Sequence, residues 1–157
     1  MKLLRVTIRN LMMENASILG TLPVSELRRR RLIIVADIMS PRGEIEVYLC
    51  RSIDYDEEFG EVTNWIGNIT LANIGKNTHQ VSNSYIDSGY RSKGLGALLY
   101  NAALAVCTSE RFWLMADRSE VSGAASRIWD TWKGMPDQYE VDQTDHKQAD
   151  EDGGWFQ

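Results

Sequence analysis

The sequence predicts one mixed α/β domain in which helices cover a sheet. Three observations predict it. Apolar and alternating runs occur in pairs around Gly-containing turns, the mark of antiparallel hairpins. Between Gly94 and Cys107 the apolar residues recur at helical spacing instead. The two periods also alternate along the chain, as strand, helix, strands, helix, strand, helix. The 157 residues suffice for one core, and 43% hydrophobic with 25% charged residues is ordinary for a soluble globular protein.

Lys2–Arg9 alternates, with Leu4, Val6 and Ile8 on one face, and reads as a first strand. Leu22-Pro23 breaks the mixed stretch that follows, and Pro23 starts a helix that ends in Arg28–Arg31. Four adjacent arginines point all round a helix. They are read as cations complementing the negative end of its dipole rather than as a nucleic-acid patch. Leu32–Met39 and Glu44–Arg51 form a hairpin about the turn Ser40–Gly43. Asp54–Glu61 is acidic and loop-like. Trp65–Ile74 and Thr78–Ile86 form a second hairpin around Gly75–Asn77. In the helix Gly94–Cys107, Leu95, Leu98, Leu99, Ala102, Ala103 and Val106 make one apolar stripe. Arg111–Arg118 reads as a buried strand, and the segment from Ser122 as the last helix.

Charge is uneven. Residues 136–157 carry a net −6, which leaves +1 for the preceding part of a chain whose total is −5. That balance argues against nucleic-acid binding. The domain is therefore expected over residues 1–137, with an acidic tail over 138–157 that can dock through Trp155 and Phe156. No apolar run approaches the roughly 20 residues of a membrane helix. The N-terminus, broken by Arg5 and Arg9, lacks a signal-peptide core, so the expected compartment is the cytoplasm. Cys50 and Cys107 lie in apolar segments and read as reduced, buried thiols. With two histidines and no Cys-x-x-Cys spacing, no metal site is expected.

The most informative segment is Asp87-Ser-Gly-Tyr-Arg-Ser-Lys-Gly-Leu-Gly96. Two glycines open a helix, and a helix N-terminus offers unpaired N–H groups with a partial positive charge. Arg91 and Lys93 add charge beside them. The segment reads as a phosphate-gripping loop. A dinucleotide fingerprint fails for want of a third glycine, and a P-loop fails because Leu95 and Gly96 stand where Lys and Ser/Thr are needed.

Arg91-Ser-Lys-Gly-Leu-Gly96, between a strand and a long helix, resembles the pyrophosphate loop of the GNAT superfamily of N-acyltransferases, Arg/Gln-x-x-Gly-x-Gly/Ala. Ser122-x-x-Ala125-x-x-x-Trp129 is similar to the family's second signature, Asn-x-x-Ala-x-x-x-Tyr, with Ser for Asn and Trp for Tyr. The resemblance covers residues 32–137. It implies a GNAT-like fold, a central, mostly antiparallel sheet with helices on both faces. It also implies transfer of an acetyl group from acetyl-CoA, by direct attack, to a primary amine on a protein or small molecule. Arg91, Ser92, Lys93, Gly94, Leu95 and Gly96 would hold the pyrophosphate. Tyr85 and Ile86 would lie along the pantetheine, where the neighbouring strand splays away.

The amine's attack needs a base. His79 is the first candidate, on the strand where family members often carry a carboxylate, with Asp87 and Glu61 behind it; a structural histidine is the other reading. In many members the signature Tyr protonates the departing thiolate. The Trp129 indole only donates hydrogen bonds and cannot act as that acid, so Tyr85 and Tyr139 are the candidates to replace it. Asp87 can equally cap the turn before Gly89. The competing reading is a weak or inactive family member that acts by binding a host protein. It draws on the lost Tyr, on the aromatic acidic tail, and on a general similarity to acetyltransferases of phage genomes. A homodimer through the C-terminal part is common in the family.

Overall fold

The computed structural model describes residues 24–38, 43–116, 121–137 and 139–141. The expected first strand Lys2–Arg9, most of the turn after Met39 and the acidic end of the tail lie outside the described residues. The chain folds as a mixed α/β structure. Helix α1 (Val24–Arg29) leads into the hairpin β1 (Leu32–Asp37) and β2 (Ile45–Arg51). A short pair, β3 (Tyr55–Asp56) and β4 (Glu61–Val62), precedes the long hairpin β5 (Gly67–Gly75) and β6 (Thr78–Ile86). Then come α2 (Leu95–Ser109), β7 (Trp113–Met115) and α3 (Gly123–Lys133). Five strands form one sheet in the order β1-β2-β5-β6-β7. All neighbours are antiparallel except β6 and β7, which run parallel.

Alternation decides which side of the sheet each residue takes. Ile45, Val47 and Leu49 of β2 pair in register with Leu71, Ile69 and Gly67 of β5. All of these except Gly67 belong to the core cluster, as do Leu95, Leu98, Leu99, Ala102, Ala103 and Val106 of α2. The stripe predicted from the sequence is therefore the stripe that packs on the sheet. At Gly67 the approach is so close that a Cβ would sit 2.7 Å from the Tyr85 carbonyl and 3.2 Å from Leu99 Cδ1. Only glycine fits, and its neighbours on the strand, Asn68 and Thr70, face the other way.

Two expected elements differ. The acidic segment is a tight hairpin, because Asp56 Oδ1 accepts the N–H groups of Glu58 and Phe59 at 2.9 and 3.2 Å and closes a turn. The strand expected over residues 111–118 is shorter, Trp113–Met115. Past residue 137, Tyr139 stacks on Trp132 at 5.8 Å and Val141 packs against the core. No described helix is long and apolar enough to cross a membrane.

The arginine run ends α1 as expected. Glu26 takes Arg29 in a two-pronged pair at 2.6 and 2.7 Å and Arg30 at 2.6 Å. The hydrogen bond to Arg29, then that to Arg30, holds the Glu26 carboxyl near a pKa of about 2.

Cys50 and Cys107 are both free and buried. Burial, then the charge of Asp54, pushes the Cys50 thiol up to about 11, and burial alone pushes Cys107 up to about 12. The thiolate is the reactive form, so neither thiol is expected to label in the native protein at neutral pH. Labelling with an aromatic disulfide reagent should proceed only at the rate of unfolding. Rapid reaction of the native chain would contradict this burial.

Candidate active site

The loop after β6 is built on its own side chains. Asp87 Oδ1 accepts the N–H of Gly89 at 2.9 Å, so Asp87 takes the capping role. Arg91 donates from Nε to the Ile86 carbonyl at 2.9 Å, with its guanidinium 5.9 Å from the Tyr85 ring centre. Lys93 Nζ donates to the Gly89 carbonyl at 2.8 Å and lies 5.4 Å from the Tyr90 ring centre. The two cations are thus tethered to the loop rather than free on long stems. Ser92 and Gly94 both take positive φ, 59° and 74°. Gly94 is the residue before α2 and caps nothing with a side chain. The first N–H groups of α2, at Leu95, Gly96 and Ala97, have no acceptor within the helix. A Cβ on Gly96 would meet nothing within 4 Å. The result is an open, cationic helix start with room for an anion.

The strand that carries this loop is paired unequally. β5 covers β6 along its length, whereas β7 pairs only with Thr78, His79 and Gln80. From Val81 onward no described strand lies on the β7 side. Ser82 is the extra residue of a bulge, since Leu71 faces Val81 while Thr70 faces Asn83. Its hydroxyl donates to the Thr70 carbonyl at 3.2 Å. A cavity of about 240 Å³ opens at this splay, lined by Val81–Ser84 of β6, Tyr100 of α2, and Val121, Ser122, Ala125 and Trp129 at α3.

Ser122 caps α3 by accepting the Ala125 N–H at 3.2 Å, the usual work of a short polar side chain there. Trp129 is held between Tyr100 and Trp132, at ring distances of 6.4 and 4.9 Å. Trp132 itself is 1% exposed and fixes α3 to the core.

Of the residues expected from the sequence, the structure brings Tyr85, Ile86, Asp87 and Arg91–Gly96 to one end of β6. Tyr85 faces away from α2, with its ring edge-on to Trp65 at 5.5 Å, and does not line the cavity. His79 stands at the other end of β6. It is 2% exposed, 2.9 Å from the Gly43 carbonyl through Nε2, and 4.5 Å from the Phe112 ring. These contacts join β6 to the β1–β2 turn, and Nδ1 of the same ring is buried with no partner among the described residues. Glu61 pairs with Asp56 in the small hairpin. Tyr139 packs on Trp132, and burial raises its pKa. The cavity-lining residue that sequence reasoning missed is Tyr100, one aromatic inside an aliphatic helix pattern. The apolar stripe of that helix does not include it, so the sequence signalled neither its burial nor the cavity. Among the described residues no three His, Cys, Asp or Glu side chains gather as a metal site.

The chain is similar to acetyltransferases of solved structure. One is a GNAT-family acetyltransferase from Staphylococcus aureus Mu50, at 18% identity over 45% of this chain and 39% of that one, with a TM-score of 0.36. Another is an IAA acetyltransferase from Bacillus cereus, at 14% identity, 55% and 52% coverage and a TM-score of 0.43. A third is an aminoglycoside acetyltransferase from an uncultured soil metagenomic sample, at 12% identity, 90% and 81% coverage and a TM-score of 0.43. The matches with the first two span less than two thirds of their length. No protein-family model matches the chain, and no curated protein matches it.

Proposed function

We propose that the chain belongs to the GNAT superfamily and transfers an acetyl group from acetyl-CoA to an amine. The observation that carries this reading is the joining of two features on one strand. The splay between β6 and β7 runs along β6 and opens on a cavity, and the loop that leaves the same strand ends in the open helix start at Gly94–Gly96. In this reading the loop holds the pyrophosphate and the pantetheine amides bond to the free edge of β6 from Val81 to Ile86. The thioester lies in the cavity near the bulge at Ser82. A strand N–H there steadies the oxyanion.

The amine nitrogen attacks the thioester carbonyl, the C–S bond breaks, and the thiolate takes a proton. The Tyr100 phenol is our assignment for that proton, since it lines the cavity whereas Tyr85 and Tyr139 do not. The described lining contains no carboxylate or imidazole. In this reading the amine's proton leaves through water and the phenol is restored from solvent. This assignment replaces His79 and Asp87 as acid–base groups. Tyr100→Phe is expected to lower kcat about 10- to 100-fold with acetyl-CoA affinity unchanged, measured as free thiol released with a panel of amines. Unchanged kcat would remove Tyr100 from the chemistry.

A second reading is favoured by one observation, the indole of Trp129 at the cavity where many members carry a phenol. In it the chain binds acetyl-CoA without turnover and acts on a protein partner, a host factor if the chain is phage-encoded. Acetyl-CoA binding with no thiol release for any amine would favour it. The acyltransferase unit is assigned to residues 1–137 with the packed residues Tyr139 and Val141; a homodimer and a cytoplasmic location complete the proposal.

A further inference from the structure

The face of the sheet turned away from α2 carries a polar row that acetyl transfer does not use. In register, Glu46 stands beside Thr70 and Tyr48 beside Asn68. Thr70 in turn stands beside Asn83, which lines the cavity at the splay. Asp37 of β1 stands beside Glu46 at the edge of the row.

The hydrogen bonds along this row leave acceptors over. The Tyr48 hydroxyl donates to Glu46 Oε2, which commits the phenol's proton. Burial, that bond and the charges of Glu46 and Asp37 push the Tyr48 phenol above its ordinary pKa and keep it protonated. Asn68 is 8% exposed, and its amide nitrogen reaches along the strand to Thr70 Oγ1 at 3.5 Å. Its amide oxygen has no partner among the described residues. A buried amide oxygen without a donor is unfavourable and rare, and a bound donor relieves it. No described lysine or arginine pairs with Glu46. A carboxylate, an orphaned amide oxygen and a phenol oxygen whose proton is already given all call for the same complement: a cationic group with several N–H donors.

We propose that Glu46, Tyr48 and Asn68 form a subsite for an ammonium or guanidinium group on the acceptor. Two strand steps separate Glu46 from Asn83, about 10 Å at the usual strand spacing. The acceptor is thus at least a dication in its resting form. One amine, neutral when it attacks, reaches the splay, while a second, charged group stays on the sheet face. Calling this cation an acceptor rests on the acetyl-transfer reading; the subsite itself does not.

Calorimetric titration of the full chain with spermidine and with hexanol, which carries no charge, tests the subsite, in parallel with acetyl-CoA. Spermidine is expected to bind, at least tenfold more weakly to Glu46→Gln, and neutral hexanol to bind no better to the native chain than to the variant. Acetyl-CoA affinity should be the same in both. Should Glu46→Gln fail to fold, Asn68→Leu removes the orphaned oxygen without adding a polar group and should weaken spermidine similarly. Equal spermidine affinity in native chain and variant, no spermidine binding at all, or hexanol binding the native chain as well as spermidine does would overturn the subsite. Loss of spermidine binding in Glu46→Gln beside an absence of acetyl-CoA binding in both would uphold the subsite and sink the transfer reading.

Discussion

Gly96→Asp should abolish acetyl-CoA binding and leave the fold intact or slightly more stable. The position lies in the first turn of α2, with open space where a Cβ would go. A carboxylate there complements the helix dipole by about 0.3–1 kcal/mol. Replacing glycine inside a helix adds about 0.5–1 kcal/mol more. The same carboxylate fills the volume left for the pyrophosphate and repels it. Loss of two or more charge-assisted hydrogen bonds, each worth about 1.5–3 kcal/mol, lowers affinity by at least about 100-fold. Binding and stability therefore move in opposite directions, which mere misfolding would not do. Gly94→Asp is the useful contrast. With φ at 74°, a side chain at Gly94 costs roughly 1–2 kcal/mol of strain, so that variant should lose both. Melting temperatures and acetyl-CoA titrations of the two variants read this directly. Retained affinity in Gly96→Asp would displace the anion from the helix start.

The second large effect is expected at Trp132. Its indole is almost wholly buried and touches Tyr100, Trp129 and Tyr139. Trp132→Ala should cost about 3–5 kcal/mol through lost burial and a cavity. The buried indole Nε1 has no partner among the described residues, so its removal recovers a little of that cost. The melting temperature should fall by about 10 °C. Because α3 carries Ser122, Ala125 and Trp129 to the cavity, turnover should fall further than the folded fraction alone explains. Trp132→Phe, which keeps most of the packing, should fall between. A melting temperature within a degree or two of the native chain would show that α3 is docked by something else.

What the sequence made legible follows from how local each signal is. The α2 stripe, both hairpins and the Gly94–Gly96 helix start rest on neighbours within a few residues, and each stands in the structure where the pattern put it. The capping role of Asp87 was one of two readings, and a bond to a residue two positions away decided it. The cavity was not legible, because its walls come from β6, α2 and α3, and only the short pairing of β7 opens it. His79 shows the same limit. Alternation places it on β6, but only the fold reveals that the Gly43 carbonyl, 36 residues away, holds its ring. Tyr100 is no part of the apolar stripe the sequence shows, yet it is buried in the core and lines the cavity. The polar row of Glu46, Tyr48 and Asn68 depends on the register between β2 and β5, which the sequence leaves open.

The most direct test of the central claim is calorimetric titration of the purified chain with acetyl-CoA, with CoA and NADH as controls. The geometry predicts saturable binding of acetyl-CoA and of CoA at one site per chain, with no heat from NADH. Absence of binding to both CoA species, in a chain shown by its melting curve to be folded, would contradict it.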